Sequence, residues 1–155
     1  MDNNGIFYTQ KKFDEVWDRV AGKSNTDADT LKTLMGYEYT DYNIYKALAQ
    51  KNTGALRMRF SEMANDELRH FKTLRARYFI LTGKTYTPEK PQTVKASSIA
   101  EILRERYGIE QEAAAGYLKA AEETKLQDIA EIYRANAADE QKHMRIVTEL
   151  LGNVL

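Results

Sequence analysis

Apolar residues recur at intervals of three and four along most of this chain, the spacing that gathers them on one face of an α-helix. Four long stretches carry this pattern, and residues that favour helix ends bound them. The predicted helices extend from about Asp27 to Lys51, Gly54 to Thr82, Ser98 to Thr124 and Gln127 to Leu151. The pattern therefore predicts an all-α protein built from four amphipathic helices.

The predicted helix ends rest on short local signals. Residues 24–27 supply Ser, Asn, Thr and Asp side chains that can cap the first helix, and Gly83 favours the end of the second. Ser98 and Glu101 form a capping box at the start of the third helix. Both prolines lie in residues 83–96, so this segment is predicted to be a connection.

The connection is long enough to run the length of the helices that it joins. About 14 extended residues span roughly 45 Å, whereas a helix of about 26 residues is only about 39 Å long. The helical hairpins on either side can therefore pack as a four-helix bundle with one long crossover between the second and third helices. A domain-swapped dimer satisfies the same lengths.

The two halves of the chain repeat a polar motif. Residues 64–70 read ANDELRH and residues 137–143 read AADEQKH, with four of seven positions identical, and these motifs contain both histidines of the chain. Each motif follows a glutamate that has a tyrosine seven residues after it. These earlier pairs are Glu38 with Tyr45 and Glu110 with Tyr117. Each half is therefore predicted to be one helical hairpin.

The Glu and His of each motif stand where the apolar stripes need core residues. In the second helix, Glu67 and His70 interrupt a run of apolar residues spaced by three and four, and Glu140 and His143 do the same in the fourth. Glu and His three residues apart share one helix face and can bind the same metal ion. With the glutamates of the first and third helices, six candidate ligands come to mid-height: Glu38, Glu67, His70, Glu110, Glu140 and His143.

Charge balance favours metal ions among these side chains. Four carboxylates gathered in a core repel one another, and removing each from water costs several kcal/mol. Two divalent cations cancel the four negative charges, and the imidazoles complete the coordination. Carboxylate and imidazole ligands without thiolates suit iron or manganese better than structural zinc. A buried polar network without metal, in a helical interaction protein, is the alternative.

Composition narrows the remaining function classes. The chain has 23 basic and 23 acidic residues, so no net charge favours nucleic acid or an anionic membrane as a partner. It contains no cysteine, which excludes disulfides and thiolate chemistry, and no apolar run reaches the roughly 18 residues of a membrane span. Residues 1–10 are polar and lack the apolar region of a signal peptide, so a cytoplasmic protein is expected.

Over roughly residues 27–151, the chain resembles the ferritin-like di-iron carboxylate superfamily, and within it the rubrerythrin and erythrin branch. The resemblance rests on Glu38, Glu67-x-x-His70, Glu110 and Glu140-x-x-His143 taken together. It implies two iron ions, with manganese as the other metal that fits, and Glu67 and Glu140 as bridging ligands. Glu38 with His70, and Glu110 with His143, would be terminal ligands, in a pairing that the resemblance leaves open.

Two features depart from rubrerythrins. Rubrerythrins carry a cysteine-ligated rubredoxin domain, and because this chain has no cysteine its electrons would come from a separate donor protein. Rubrerythrins also use an extra glutamate three residues after the third-helix ligand, where this chain has Ala113. The ligand set is therefore more similar to the symmetric four-Glu, two-His centre of bacterioferritin-type proteins.

Four further residues are candidates for contacts that orient the ligands. Tyr45 and Tyr117 lie two turns from their glutamates, and in the resembling families such tyrosines hydrogen-bond ligating carboxylates; filling the core is the alternative role. Asp66 and Asp139 directly precede the motif glutamates and are predicted to accept a proton from a histidine on a neighbouring helix.

The resemblance implies an oxidoreductase that reduces hydrogen peroxide or dioxygen at two ferrous ions, as a peroxidase or a ferroxidase. An iron-binding or storage module without turnover, and a di-metal hydroxylase of an organic substrate, are the alternatives. Residues 24–155 are predicted to form the bundle domain, and residues 1–23 an extension with a short helix whose apolar face carries Phe13, Val16, Trp17 and Val20. A homodimer is the expected assembly.

Overall fold

Four long helices dominate the computed structural model, which describes residues 4–5, 26–91, 94–95 and 98–155. They are α1 (Asp27–Lys51), α2 (Gly54–Thr82), α3 (Ile99–Glu123) and α4 (Gln127–Val154). The prediction of an all-α fold with four helices is confirmed, and the architecture is consistent with a four-helix bundle. The observed ends differ from the predicted ones by at most three residues, at the end of α4.

Two short strands accompany the helices and were not predicted. Residues Asn4–Gly5 (β1) and Val94–Lys95 (β2) pair in antiparallel fashion. β2 lies within the segment that joins α2 to α3. The predicted N-terminal helix around Phe13 to Val20 lies outside the described residues and stays a prediction.

The helix caps form largely as their sequences indicate. The Thr26 side chain accepts a hydrogen bond from the backbone N–H of Asp29 at 3.3 Å. Ser98 Oγ accepts from the backbone N–H of Glu101 at 3.2 Å and donates to its Oε2 at 3.2 Å. Gly83 ends α2 in the left-handed conformation, with φ of 70°, which a residue without Cβ adopts at no steric cost.

The first hairpin consists of α1 and α2, which pack along their lengths after a two-residue link. Gly54, with φ of 59°, makes the sharp entry into α2 that this short link requires. Large apolar side chains of both helices form its core. They are Leu31, Leu34, Met35, Ile44, Leu48, Phe60, Met63, Phe71 and Leu74.

The second hairpin consists of α3 and α4, and the chain's packing divides it from the first as a separate compact unit. Its buried residues on α3 include more small side chains than those of the first hairpin. The buried apolar residues include Leu103, Ile109, Ala113, Ala114, Ile129, Tyr133, Ile146, Val147 and Leu150. The predicted α4 stripe is buried at every position, from Ile129 through Leu150.

The predicted stripe of α2 is buried only in its middle. Phe60, Met63 and Leu74 are buried, but Leu81 is 39% exposed near the helix end. The α2 stripe is therefore buried around Glu67 and His70 and becomes exposed toward the end of the helix. In the described residues, no helix combines the length and the apolar character that crossing a membrane requires.

Candidate metal centre

The first hairpin brings three of the six predicted ligands together. Glu38 of α1 and Glu67 and His70 of α2 are 4%, 1% and 1% exposed. His70 Nδ1 lies 3.2 Å from Glu38 Oε2 and 3.2 Å from Glu67 Oε2. These three residues, which we call the first cluster, offer ligand atoms within 4.8 Å of one another.

The second hairpin repeats this arrangement. Glu110 of α3 and Glu140 and His143 of α4 are 1%, 1% and 0% exposed. His143 Nδ1 lies 3.4 Å from Glu110 Oε2 and 3.1 Å from Glu140 Oε2. These residues form the second cluster, again with ligand atoms within 4.8 Å of one another.

The spacing of these atoms fits metal coordination. Oxygen and nitrogen ligands bound at about 2.1 Å are about 3.0 Å apart along an octahedral edge and about 3.4 Å along a tetrahedral edge. The separations of 3.1 to 3.4 Å in both clusters fall in that interval. The same imidazole nitrogen, Nδ1, faces both carboxylates in each cluster, as a ligand atom would. The buried Glu and His groups can therefore hold metal ions.

Burial of like charges supports the same conclusion. Each cluster places two carboxylates around one imidazole in a dry interior. A single proton on the imidazole would leave the first cluster with a net negative charge, at a desolvation cost of several kcal/mol. A divalent cation neutralises two carboxylates completely, and the imidazole then binds as a neutral ligand.

The clusters differ in a residue that the sequence prediction missed. Arg106 lies on α3 one turn before Glu110, and it is 0% exposed. Its Nη2 lies 3.4 Å from Glu110 Oε1. Leu34 stands at the matching position before Glu38 and is also buried. A signal was present in the sequence, because residues 99, 103, 106 and 110 continue the α3 stripe in steps of four and three.

Burial and the charge of Arg106 both act on the pKa of the Glu105 carboxyl. Burial raises the pKa of the Glu105 carboxyl above its ordinary value, and the nearby positive charge of Arg106 acts in the opposite direction. The upward direction of the pKa shows that desolvation outweighs the attraction.

The predicted tyrosines are buried beside aromatic partners. Tyr45 is 0% exposed and stacks on Phe60, with ring centroids 6.2 Å apart. Tyr117 is 1% exposed and lies 5.9 Å from the Tyr133 ring in a tilted arrangement. These contacts agree with core filling, and the predicted bonds to ligating carboxylates stay predictions.

The predicted aspartates have unequal surroundings. Asp66 is buried, and its Oδ1 accepts from Arg69 Nη1 at 2.8 Å, a contact within α2 that the sequence analysis did not foresee. Asp139 is half-buried on α4. Their predicted role as proton acceptors for histidines stays a prediction.

Asn136 carries a polar group into the core next to the second cluster. It lies one turn before Glu140, where the first hairpin has Met63, and it is 6% exposed. Its Nδ2 has no hydrogen-bond partner among the described residues. A buried donor without a partner costs about 1–3 kcal/mol.

We expect Asn136→Met to raise the free energy of unfolding of the metal-free protein by about 1 kcal/mol, because it removes this donor and introduces the residue, Met63, that the first hairpin has at the matching position. Urea denaturation in the presence of a chelator measures the change. Asn65→Met, on the exposed face of α2, is the control and should shift stability by less than about 0.5 kcal/mol. A lower free energy of unfolding for Asn136→Met would show that the amide is a stabilising group.

Comparisons with known proteins give relatives without a described function. No protein-family model matches the sequence. The chain is similar to the uncharacterized protein YhjR of Bacillus subtilis (strain 168), with 28% identity over 114 residues, which cover 73% of this chain and 78% of that protein.

A solved structure supports the fold. The chain is similar to a hypothetical protein from Pyrococcus furiosus, with a TM-score of 0.71 and 24% sequence identity. The match covers 81% of this chain and 87% of that one. At this level of sequence identity the likeness is one of fold alone.

Proposed function

We propose that the protein is a ferritin-like di-iron oxidoreductase that reduces hydrogen peroxide or dioxygen with electrons from a separate donor protein. In this proposal the first and second clusters together hold two iron ions. One observation carries it: two hairpins repeat a buried Glu, Glu, His set in which the histidine Nδ1 lies 3.1 to 3.4 Å from both carboxylates.

The repetition favours a pair of metals over a single ion. Each cluster has its own imidazole and two carboxylates, so each can bind a divalent cation without a histidine from the other cluster. Glu67 and Glu140 are the proposed bridging ligands, in keeping with the resemblance to di-iron carboxylate proteins. Glu38 and Glu110 would then be terminal ligands beside His70 and His143.

The donor atoms suit iron. Oxygen and imidazole nitrogen are the ligands of iron and manganese centres, whereas a structural zinc site commonly includes thiolates. The chain contains no cysteine. Two ferrous ions would supply the two electrons that, with two protons, reduce hydrogen peroxide to two water molecules.

The chain's own residues would hold the ions and keep bulk water away. All six ligands are at most 4% exposed. Phe60, Met63 and Leu74 flank the first cluster along α2, and the Tyr133 ring and Val147 flank the second along α4. Fixed ligands in a dry interior restrict side reactions with solvent.

Metal content and transient kinetics test this proposal. Protein purified with iron should contain close to two metals per chain, by elemental analysis. The ferrous form is then mixed rapidly with hydrogen peroxide and, separately, with dioxygen, and oxidation is followed by absorbance. Faster oxidation by peroxide supports a peroxidase, and faster oxidation by dioxygen supports a ferroxidase. A protein with no bound iron would contradict the proposal.

Assembly size and catalytic turnover distinguish an iron-storage module from the proposed oxidoreductase. Large spherical particles in light scattering, with iron far above two ions per chain, would favour storage. Repeated reduction of peroxide by the di-ferrous protein when a chemical reductant is supplied would favour the oxidoreductase. Iron that is oxidised once and not reduced again would contradict catalytic turnover.

A further inference from the structure

The two clusters have identical ligand types and different electrostatic neighbours. Arg106 precedes Glu110 by four residues, and Leu34 precedes Glu38 by four. Both of these side chains are buried, at 0% and 2% exposure. Because a guanidinium keeps its proton at any ordinary pH, the second cluster alone has a permanent positive charge at this position.

The arginine also contacts a ligand directly. Arg106 Nη2 lies 3.4 Å from Glu110 Oε1, while Glu110 Oε2 faces His143 Nδ1 at 3.4 Å. One oxygen of Glu110 is therefore directed to the guanidinium, and the other remains directed into the cluster. The contact withdraws negative charge from the carboxylate that a metal ion would use.

We propose that Arg106 makes the two metal positions unequal. The position at the first cluster retains its ion tightly, and the position at the second cluster binds its ion more weakly and exchanges it. This inference rests on the proposed function, because it concerns the affinities of the two ions that the clusters would hold.

The physical reason is repulsion in a medium of low polarity. Two positive charges near one carboxylate compete for it, and water does not screen them in a buried site. Glu105 offsets part of the arginine's charge, but Glu105 is only half-buried, so solvent screens its contribution. Groups that contact metal ligands commonly change metal affinity about 10- to 100-fold.

Unequal affinities would matter for the reaction. A tightly held ion at the first cluster would behave as a resident cofactor. An exchangeable ion at the second cluster would allow iron to enter, be oxidised and leave through one position. The weaker position would then decide whether the centre is fully loaded at a given iron concentration.

Titration calorimetry of the metal-free protein with Co²⁺ tests the inference. The unaltered protein should show one tight and one weak ion per chain, with dissociation constants about 10- to 100-fold apart. Arg106→Leu, which copies the first hairpin, should tighten the weak class and leave the tight class unchanged. Arg104→Leu removes an exposed arginine from the same helix, and it should titrate as the unaltered protein does.

Two histidine variants assign the tight and the weak Co²⁺-binding class to their clusters. His143→Ala should lose the weak class, and His70→Ala should lose the tight class. Arg106→Gln, which removes the charge and keeps a polar group, replaces Arg106→Leu if the leucine variant does not fold. It should also tighten the weak class, because the inference depends on charge.

The outcomes separate this inference from the proposed function. Two equal classes in the unaltered protein, or a weak class that Arg106→Leu and Arg106→Gln leave unchanged, would overturn the inference and leave the di-metal proposal in place. Loss of the weak class in His70→Ala would overturn it as well. A protein that binds no Co²⁺ and no iron would overturn both.

Discussion

Replacing Glu67 by alanine is expected to lower the metal content of the protein from about two ions per chain to about one or none. Glu67 is 1% exposed, and its Oε2 lies 3.2 Å from His70 Nδ1. Without this carboxylate the first cluster retains one carboxylate and one imidazole, too few ligands to hold an ion tightly. The decrease in metal affinity should exceed the roughly 10- to 100-fold decrease that is common when a residue that only contacts a ligand is replaced.

Elemental analysis after gel filtration measures this effect, and Glu62→Ala is its matched control. Glu62 lies on the same helix, with its side chain 38% exposed, and pairs with Arg59 at 3.0 Å. Loss of such a surface pair changes stability by about 0.5 kcal/mol or less and should leave both ions bound. If Glu67→Ala retained both ions, Glu67 could not be a metal ligand.

The nearly isosteric variant Glu67→Gln adds a second readout. In the metal-free protein it removes one of two buried negative charges around His70, so its free energy of unfolding should rise. In the presence of metal ions the same variant should be less stable than the unaltered protein. This reversal of sign distinguishes a ligand from a residue that only packs.

Chelation of the metal ions that the two clusters are proposed to hold is the second change with a large expected effect. An ion that binds only the folded state, at a free concentration about 1,000-fold above its dissociation constant, adds about 4 kcal/mol to the free energy of unfolding. For a chain of this size, that corresponds to about 8–16 °C in the melting temperature. We therefore expect a chelator to lower the melting temperature by about this amount.

Thermal unfolding followed by circular dichroism, with and without a chelator, checks this expectation. Mg²⁺ is the control ion, because it prefers all-oxygen octahedral sites with bound water and should not replace iron beside an imidazole. The double variant with alanine at Glu67 and Glu140 should melt at one temperature under all these conditions. Equal melting temperatures for the unaltered protein with iron and with chelator would contradict metal binding to the folded state.

Much of the fold was predictable because helix periodicity and capping residues act locally. Thr26 and Gly83 mark helix ends through hydrogen bonds and backbone conformations that depend on nearby residues. The six ligands were predictable for a related reason. A Glu or a His at a core position of an apolar stripe requires compensation, and the repeat of the same set in both hairpins made chance implausible.

Other features depend on where the end of a long side chain lies. The stripe spacing places Arg106 on the inner face of α3, but arginine at such a position commonly extends its charged head to water, so the spacing alone does not indicate the contact with Glu110. Asp66 likewise pairs with Arg69 of its own helix, which spacing allows but does not require. Leu81 is exposed although it continues the α2 stripe, because the spacing of apolar residues along one helix does not specify how far the helix packed against it extends.

The segment between Gly83 and Ser98 has a consequence for how the two hairpins can change. Were two identical hairpins to assemble from separate copies of one short chain, any substitution would appear twice, and an arginine beside one metal would always stand beside the other. Covalent joining in a single chain removes this restriction. It permits Leu34 and Arg106 to differ, so that one hairpin can change at a single residue beside its cluster while all six candidate ligands stay the same.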